Sequence, residues 1–134
     1  MNSRTGIVWA SFWLLATSTM AQPGTQPHAK VIPLATDQSS TVLSGPPESV
    51  TMRSGLVLLA SGKSVGKHST GQHEEVLIVL EGKGQMTFAD GSSLPVEANH
   101  AVYCPPATEH NVTNTGSGPL RYVYVVAAVP AAAH

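Results

Sequence analysis

The sequence is poor in cysteine and in charge. Cys104 is the single cysteine among 134 residues, so an internal disulfide framework is excluded and the fold must be held by packing, or by packing and a metal ion. Only 11% of the residues are charged and the formal net charge is -1, without any basic run. This composition predicts that nucleic acid is not a partner. The sequence also shows no separate acid/base pair, nucleophile triad or phosphate-binding loop.

The N-terminal segment is built like a secretory signal peptide. Arg4 is followed by an apolar run over residues 7–16 and by a small polar stretch that ends at Ala21. The run is shorter than the roughly 20 apolar residues that a membrane-spanning helix needs. We therefore predict a signal peptide over residues 1–21 and a mature protein that is periplasmic or secreted, with no membrane attachment after cleavage. An uncleaved membrane anchor is the alternative.

The mature chain has room for one domain. Residues 22–48 are rich in Pro, Gly, Ser, Thr and Gln and predict a flexible tail, with an edge strand near residues 31–34. Over residues 49–129, short apolar or alternating runs are separated by turn signals such as "DG", "GKG" and "TGSG", without a sustained helical period. This spacing predicts an all-β sandwich or barrel. Residues 130–134 are predicted to be a frayed C-terminal tail.

Four potential metal ligands lie within residues 68–75, directly ahead of the apolar run "VLIVL". Alternate residues of a strand share a face, so His73 and Glu75 are expected to point into the barrel and Glu74 to point outward. A turn at "STGQ" could fold His68 back beside Glu75, and His110 begins another short strand far downstream. Two histidines and a carboxylate are a common ligand set for a divalent first-row metal. A hydrogen-bonded polar cluster without a metal is the alternative.

The same residues lie in two motifs by which the sequence resembles the cupin superfamily. The first motif of that family runs Gly, five residues, His-x-His, three or four residues, Glu, six residues, Gly. The second motif runs Gly, five residues, Pro-x-Gly-x-x-His, three residues, Asn. The resemblance covers roughly residues 50–128 and implies a cupin-type jelly-roll barrel, a double-stranded β-helix. Matching spacings occur at Gly62, His68, Glu75 and Gly82, and at Pro105, His110 and Asn114.

Three positions depart from the family pattern. Thr70 stands where the second histidine of His-x-His is expected, which removes one ligand of the family's usual set. Asn99 and Ala107 stand at glycine positions. Asn tolerates a left-handed turn conformation, whereas Ala107 fits only if its turn needs no positive φ.

The ligand set that the resemblance implies is His68, Glu75 and His110, and His73 is predicted as a fourth ligand because it shares strand parity with Glu75. The ion is expected to be divalent iron, manganese, zinc or nickel. Such a site implies a small exported metalloenzyme of the dioxygenase, isomerase, decarboxylase or lyase type, acting on a small-molecule substrate. A non-catalytic barrel that binds or senses a small ligand, with or without metal, is the alternative, and a purely structural dimer is a third reading. Homodimerisation is expected in every case, because small jelly rolls expose sheet edges.

Overall fold

The structure is a computed structural model that describes residues 26–130. The predicted signal peptide and residues 131–134 of the predicted C-terminal tail lie outside this range. Within the range, the chain forms no helix, and therefore none of a length and apolarity that could cross a membrane. The described strands, numbered along the chain, are β1 (Ser40–Leu43), β2 (Arg53–Leu59), β3 (His68–Ser69), β4 (His73–Glu81), β5 (Lys83–Phe88), β6 (Ser93–Glu97), β7 (Ala101–Cys104), β8 (Glu109–Asn114) and β9 (Leu120–Ala128).

These strands form two antiparallel sheets that pack against each other. The larger sheet has the order β1-β2-β9-β4-β7, and the smaller sheet has the order β3-β8-β5-β6. Most neighbours in space are distant in sequence, so the chain crosses repeatedly from one sheet to the other, as it does in a jelly roll. The all-β jelly-roll barrel expected from the sequence is confirmed.

Strand β4 shows how the sequence assigns its two faces. Glu75, Leu77 and Val79 are buried, whereas Glu74 and Ile78 are exposed. This is the alternation of a strand with one face toward the interior, and it matches the predicted parity. A pairing slip of one residue would bring Glu74 inside and turn the apolar side chains outward, so the apolar pattern fixes which glutamate enters the barrel.

The hydrophobic core fills the space between the two sheets. Burial of each large aliphatic side chain contributes roughly 1.5–3 kcal/mol to folding. Along β4, the inward side chains change from His73 and Glu75 at one end to Leu77 and Val79 further along, so a polar site adjoins the core. The core residues come from both sheets and comprise Leu59, Leu77, Val79, Met86, Val96, Val102, Cys104, Val112, Leu120 and Tyr122.

The tail before the barrel begins to pair with the larger sheet further along the chain than the sequence predicted. Residues 31–34 form no strand, and the edge strand is β1, which pairs with β2. Pro33 explains the difference, because proline lacks the N–H that a strand interior needs. The tail is held on the sheet by Arg121, whose Nη2 donates to the carbonyl of Ala35 at 2.8 Å, and by Ser39, whose Oγ accepts from the N–H of Leu58 at 2.9 Å.

Candidate metal centre

His68, Glu75 and His110 converge at one place in the barrel. His68 on β3 lies directly opposite His110 on β8, and the two ring centroids are 4.3 Å apart. Glu75 comes from β4 in the other sheet, and its Oε2 lies 3.2 Å from Nε2 of His110. One ligand atom from each of the three side chains lies within 4.8 Å of the other two. The sequence-based prediction that these residues share one cavity is therefore confirmed by the geometry.

Both imidazole rings are oriented by backbone carbonyls. Nδ1 of His68 lies 3.0 Å from the carbonyl oxygen of Gly66, and Nδ1 of His110 lies 3.2 Å from that of Thr108. A carbonyl can only accept, so each Nδ1 carries the hydrogen and donates it. In the neutral ring each Nε2 then keeps its lone pair, whereas the protonated ring of His110 can donate from Nε2 to Glu75. Outer hydrogen bonds of this kind are what metal-binding histidines generally have.

The charges at the site are coupled through Glu75. His110 and Glu75 are 2% and 8% exposed, so their contact is shielded from solvent. The hydrogen bond with Glu75 raises the pKa of His110 above its ordinary value, and burial opposes this effect only in part. A proton therefore stabilises the pair in the way that a metal cation would, because either supplies positive charge to the buried carboxylate.

Thr70, at the position of the missing motif histidine, serves the backbone instead of the ligand cluster. Its Oγ1 donates to the carbonyl of Pro105 at 2.8 Å and accepts from the N–H of Thr108 at 3.0 Å. These bonds fasten the turn after β3 to the turn before β8, which are the segments that carry the two histidines. We call this set of contacts the Thr70 clamp.

The two positions that lack the family's glycine both adopt a left-handed backbone. Asn99 has φ 65° and Ala107 has φ 57°. The turn at Ala107 therefore does need a positive φ, which costs a residue with a Cβ roughly 1–2 kcal/mol. Its N–H donates to the carbonyl of Gly71 at 2.7 Å, so the strained turn is fixed beside the Thr70 clamp.

His73 and Glu74 occupy the positions next to the cluster. His73 lines the same cavity but does not belong to the group whose ligand atoms meet, so its role as a fourth ligand stays a prediction. Glu74 is exposed and accepts a hydrogen bond from the hydroxyl of Tyr103 at 3.1 Å. The outward assignment of Glu74 is confirmed.

Cys104 is packed in the core next to the site. It is fully buried, and its Sγ lies 3.3 Å from the sulfur of Met86. Burial, and secondarily the charge of Glu75, raises the pKa of the thiol to about 11. A thiol with such a pKa is not a nucleophile near neutral pH, so Cys104 serves as a small hydrophobic residue of the core.

The cavity around the cluster has a volume of about 470 Å³ and includes residues that no motif flagged. Arg53, the first residue of β2, lines it, and so do Tyr122 and Tyr124 of β9. Tyr124 lies over Gly55, where an added Cβ would be 2.7 Å from the ring. The only sequence signal for these tyrosines was their alternation with apolar residues, which predicts core packing as readily as a cavity wall. Arg53 carried no signal at all.

The residues present fit a metal ion. Two imidazole nitrogens with free lone pairs and one carboxylate are borderline-hard donors, which suit divalent zinc, iron, manganese or nickel. Glu75 lies largely out of water, and a buried carboxylate needs a compensating positive charge. Its near contact is His110, itself a candidate ligand. The donor chemistry and the burial of the carboxylate both favour a cation at this point.

Comparisons with known proteins agree with this architecture. A family described as the cupin domain matches residues 55–126. An uncharacterised protein of Methanocaldococcus jannaschii is 36% identical over 66 residues, which cover 49% of this chain and 50% of that protein. The chain thus matches about half the length of this curated relative.

Solved structures are similar over a larger share of the chain. A cupin protein of Bacteroides fragilis superposes with a TM-score of 0.67 at 19% identity, covering 78% of this chain and 88% of its own. A protein of Thermotoga maritima, described as a predicted oxalate decarboxylase, has a TM-score of 0.58 at 17% identity, covering 75% of this chain and all of its own. Identities at this level show the shared fold. With the family match over more than half of its length, the chain belongs to the cupin family.

Proposed function

We propose that this protein binds a divalent first-row metal through His68, Glu75 and His110 and uses it to act on a small molecule. The observation that carries the proposal is the convergence of three ligand atoms within 4.8 Å, contributed by both sheets. A solvated polar cluster without a metal would not need two histidines oriented by backbone carbonyls or a largely buried carboxylate. The exposed position of His68 leaves one side of the site open to the cavity.

A bound metal would supply a Lewis-acid or redox centre with coordination positions left for substrate. The reaction classes that fit such a centre are oxygenation, isomerisation, decarboxylation and lyase chemistry. The chain's own contribution is to hold and orient. His68 and His110 present Nε2, and Glu75 supplies negative charge. Leu77, Val112 and Tyr122 make much of the cavity wall apolar. In the metal-free state, Glu75 and His110 can share a proton.

Metal titration of the purified protein tests this proposal. We expect one zinc, manganese, nickel or iron(II) ion per chain by calorimetry and elemental analysis. The variants His110→Ala and Glu75→Gln should lose it. His100→Ala is the matched control, because His100 is exposed and its Nδ1 bonds the carbonyl of Ala98 away from the cluster. Metal binding that survives in both site variants would refute the proposed ligand set.

The predicted fourth ligand has its own variant. If His73 joins the ligand set, His73→Ala should weaken binding by more than the roughly 10- to 100-fold that the loss of an outer hydrogen-bond partner causes, whereas a residue that merely lines the cavity should leave the affinity unchanged. Turnover of keto, enol or phenolic compounds by the loaded protein would identify the reaction class.

A non-catalytic binding module is the second candidate. The cavity is favourable to it because several of its walls are apolar, through Val57, Val65, Val112 and Val126. Apolar pockets of a few hundred Å³ commonly hold small ligands. A ligand-dependent rise in melting temperature, without turnover in the metal-loaded protein, would favour this candidate over the enzyme.

Export and dimerisation complete the proposal. Removal of residues 1–21 is supported by the composition of that segment, and intact-mass analysis of protein from the periplasm or medium would detect it.

Pairing of two copies is supported by exposed apolar side chains on the outer face of the larger sheet, among them Ile78 and Leu80. Light scattering would give a mass of two chains, and Ile78→Lys should reduce it to one.

A further inference from the structure

Gly55 lies inside β2, at a position where glycine weakens a strand. Glycine loses more backbone freedom on folding than other residues do, and it offers no side chain for packing. The φ of Gly55 lies outside the positive range, so the backbone conformation does not require glycine here. Gly55 is also buried and lies opposite Tyr124, a residue of the cavity wall. The space that a Cβ would fill is therefore the remaining reason for a glycine at this position.

The Cβ space of Gly55 is occupied by the phenol group of Tyr124. A Cβ added at Gly55 would lie 2.7 Å from Cε1 and from the hydroxyl oxygen of Tyr124, and 2.8 Å from Cζ. Cβ atoms in proteins do not approach other atoms this closely. The ring can therefore rest in its present position only because residue 55 has no side chain.

The backbones of this pair are fixed, whereas the ring can move. β2 is paired with β1 and β9, and β9 is paired with β2 and β4. Ser54, the neighbour of Gly55, also donates its hydroxyl to the carbonyl of Tyr124 at 2.6 Å. At Gly84, by contrast, an added Cβ would meet the backbone carbonyl of Thr113, which cannot turn away. An alanine at position 55 would thus displace the end of a side chain and leave the strands in place.

A ring displaced from Gly55 moves into the cavity. Side chains on the same face of the sheet surround Tyr124 on its other sides, and they are Leu77 across β4, with Tyr122 and Val126 along β9. These three residues line the cavity, as Tyr124 itself does. Leu77 follows Glu75 by two positions and shares its face of β4, so the space in front of Leu77 adjoins the metal ligands.

We propose that Gly55 determines the size of the ligand that reaches the metal centre. Its missing Cβ lets the ring of Tyr124 rest against β2, which keeps the space in front of Leu77 open. This space suits a ligand that carries a flat apolar group, about the size of one ring, beside the atom that contacts the ion. That the ligand contacts an ion rests on the proposed function, whereas the control of the ring by Gly55 does not.

The same pair has a structural role that the test must separate from this one. An aromatic ring over a strand glycine stabilises a sheet, because the ring covers backbone that glycine leaves bare. That role alone predicts a loss of stability in variants of Gly55 or Tyr124. It does not predict that binding will depend on the size of the ligand, so size dependence is the result that distinguishes the two roles.

The test compares imidazole with benzimidazole, which carries one additional fused ring. Both are titrated into cobalt(II)-loaded protein, whose visible spectrum reports a ligand nitrogen that binds the ion, and the wild type should bind both. In Gly55→Ala we expect imidazole to bind within about twofold of the wild type and benzimidazole at least about tenfold more weakly, because a change of one methylene in an apolar pocket alters binding about 10- to 200-fold. Gly118→Ala is the matched control, since a Cβ there would meet no heavy atom of residues 26–130 within 4 Å.

A double variant shows whether the ring is the obstacle. Leucine lacks the atoms that crowd position 55, so Gly55→Ala combined with Tyr124→Leu should bind benzimidazole as well as Tyr124→Leu alone does. Benzimidazole binding that is unchanged in Gly55→Ala, or that weakens no more than imidazole binding, would overturn the proposal. A defect that persists in the double variant would overturn it as well. If Gly55→Ala alone fails to fold by circular dichroism, the double variant should recover the fold, and its failure to do so would be equally decisive against the proposal.

A crystal structure of metal-free Gly55→Ala separates this proposal from the metal function. The ring of Tyr124 should have moved from β2 toward Leu77, whether or not the chain binds a metal. A ring that stays over residue 55 while the strands move apart would overturn the role of Gly55. A displaced ring in a chain that binds no cobalt would support the control of the ring by Gly55 and refute only the metal function.

Discussion

Nε2 of His110 lies 3.2 Å from Oε2 of Glu75, although the two residues belong to different sheets. His110 is placed by β8 and Glu75 by β4, and 34 intervening positions of chain separate them in the sequence. The contact is therefore a product of the closed barrel and does not form in an isolated hairpin. Anything that alters this pair acts on the packing of one sheet against the other.

Metal loading should stabilise the fold. An ion that binds only the folded chain adds about 2.7 kcal/mol to the free energy of unfolding when its free concentration is about 100 times Kd. Thermal or urea unfolding with and without zinc measures this gain. The gain should vanish in His110→Ala and persist in His100→Ala. A zinc-induced rise of equal size in His110→Ala would place the ion elsewhere.

The protonation of His110 should depend on Glu75. The hydrogen bond from the imidazolium raises the folded-state pKa above the ordinary value of 6.5. The stability that this bond contributes is fully present below the ordinary pKa and is lost as pH rises through the raised one. NMR titration of the metal-free protein should therefore give His110 a pKa above 6.5, and Glu75→Gln should lower it. An unchanged value in Glu75→Gln would remove the carboxylate as the cause.

Metal affinity should fall in acid for the same reason. The ion must displace the proton from Nε2 of His110, so affinity drops about tenfold for each pH unit below the raised pKa. Calorimetry at several pH values, in buffers of different ionisation enthalpy, would count the protons released. Affinity that does not vary across the histidine range would show that His110 is not a ligand.

Ala107→Gly should stabilise the protein. Its φ of 57° is strained for alanine and relaxed for glycine. The extra entropy that glycine gives the unfolded chain offsets part of this, which leaves a gain of roughly 0.5–1 kcal/mol. Chemical denaturation measures it. Asn99→Gly, at φ 65°, is the comparison and should gain less, because asparagine tolerates this conformation. A loss of stability in Ala107→Gly would mean that the methyl group is needed there.

Thr70→Val should weaken the turn that positions the histidines. Valine keeps the shape but removes the hydroxyl, so the Thr70 clamp loses two hydrogen bonds and leaves the N–H of Thr108 without that partner. We expect a loss of about 1–3 kcal/mol in stability. Thr87→Val is the matched control, since the hydroxyl of Thr87 has one long contact of 3.4 Å to the carbonyl of Asn111. Equal losses of stability in the two variants would show that the Thr70 clamp contributes no more than the single hydroxyl contact of Thr87.

Sequence reasoning located the ligand cluster because the relevant signals are local. Alternation along β4 identifies Glu75 as the inward glutamate, and the motif spacings bring His68 and His110 to it. From the sequence alone, Thr70 could be interpreted only as the position of a missing ligand. Its hydrogen bonds run to residues 105 and 108, and such contacts depend on how two turns meet in space. Local patterns do not contain that information.

The positions of Arg53 and of the tail strand also could not be predicted from local sequence patterns. A lone arginine at the start of a strand is usually a solvated residue, and only the ladder through Val126 places it on the cavity face. In the tail, apolar residues suggested a strand near residues 31–34, but pairing with β2 begins at Ser40. Strand pairing depends on a partner edge and on available N–H groups, neither of which hydrophobicity reports.

The two-residue strand β3 has a kinetic consequence for the site. Glu75 and His110 are buried and belong to long strands, whereas His68 is exposed and is carried by a segment that pairs with β8 alone. This segment is also held by the Thr70 clamp and by the N–H of Gly66, which donates to Oδ1 of Asn111 at 2.9 Å, yet as the exposed part of the site it opens before the buried strands do. A bound ion would then leave by releasing His68 first, and exchange could be fast even where equilibrium binding is tight. The supply of ions in the surrounding medium, rather than the history of folding, would decide which metal occupies the barrel.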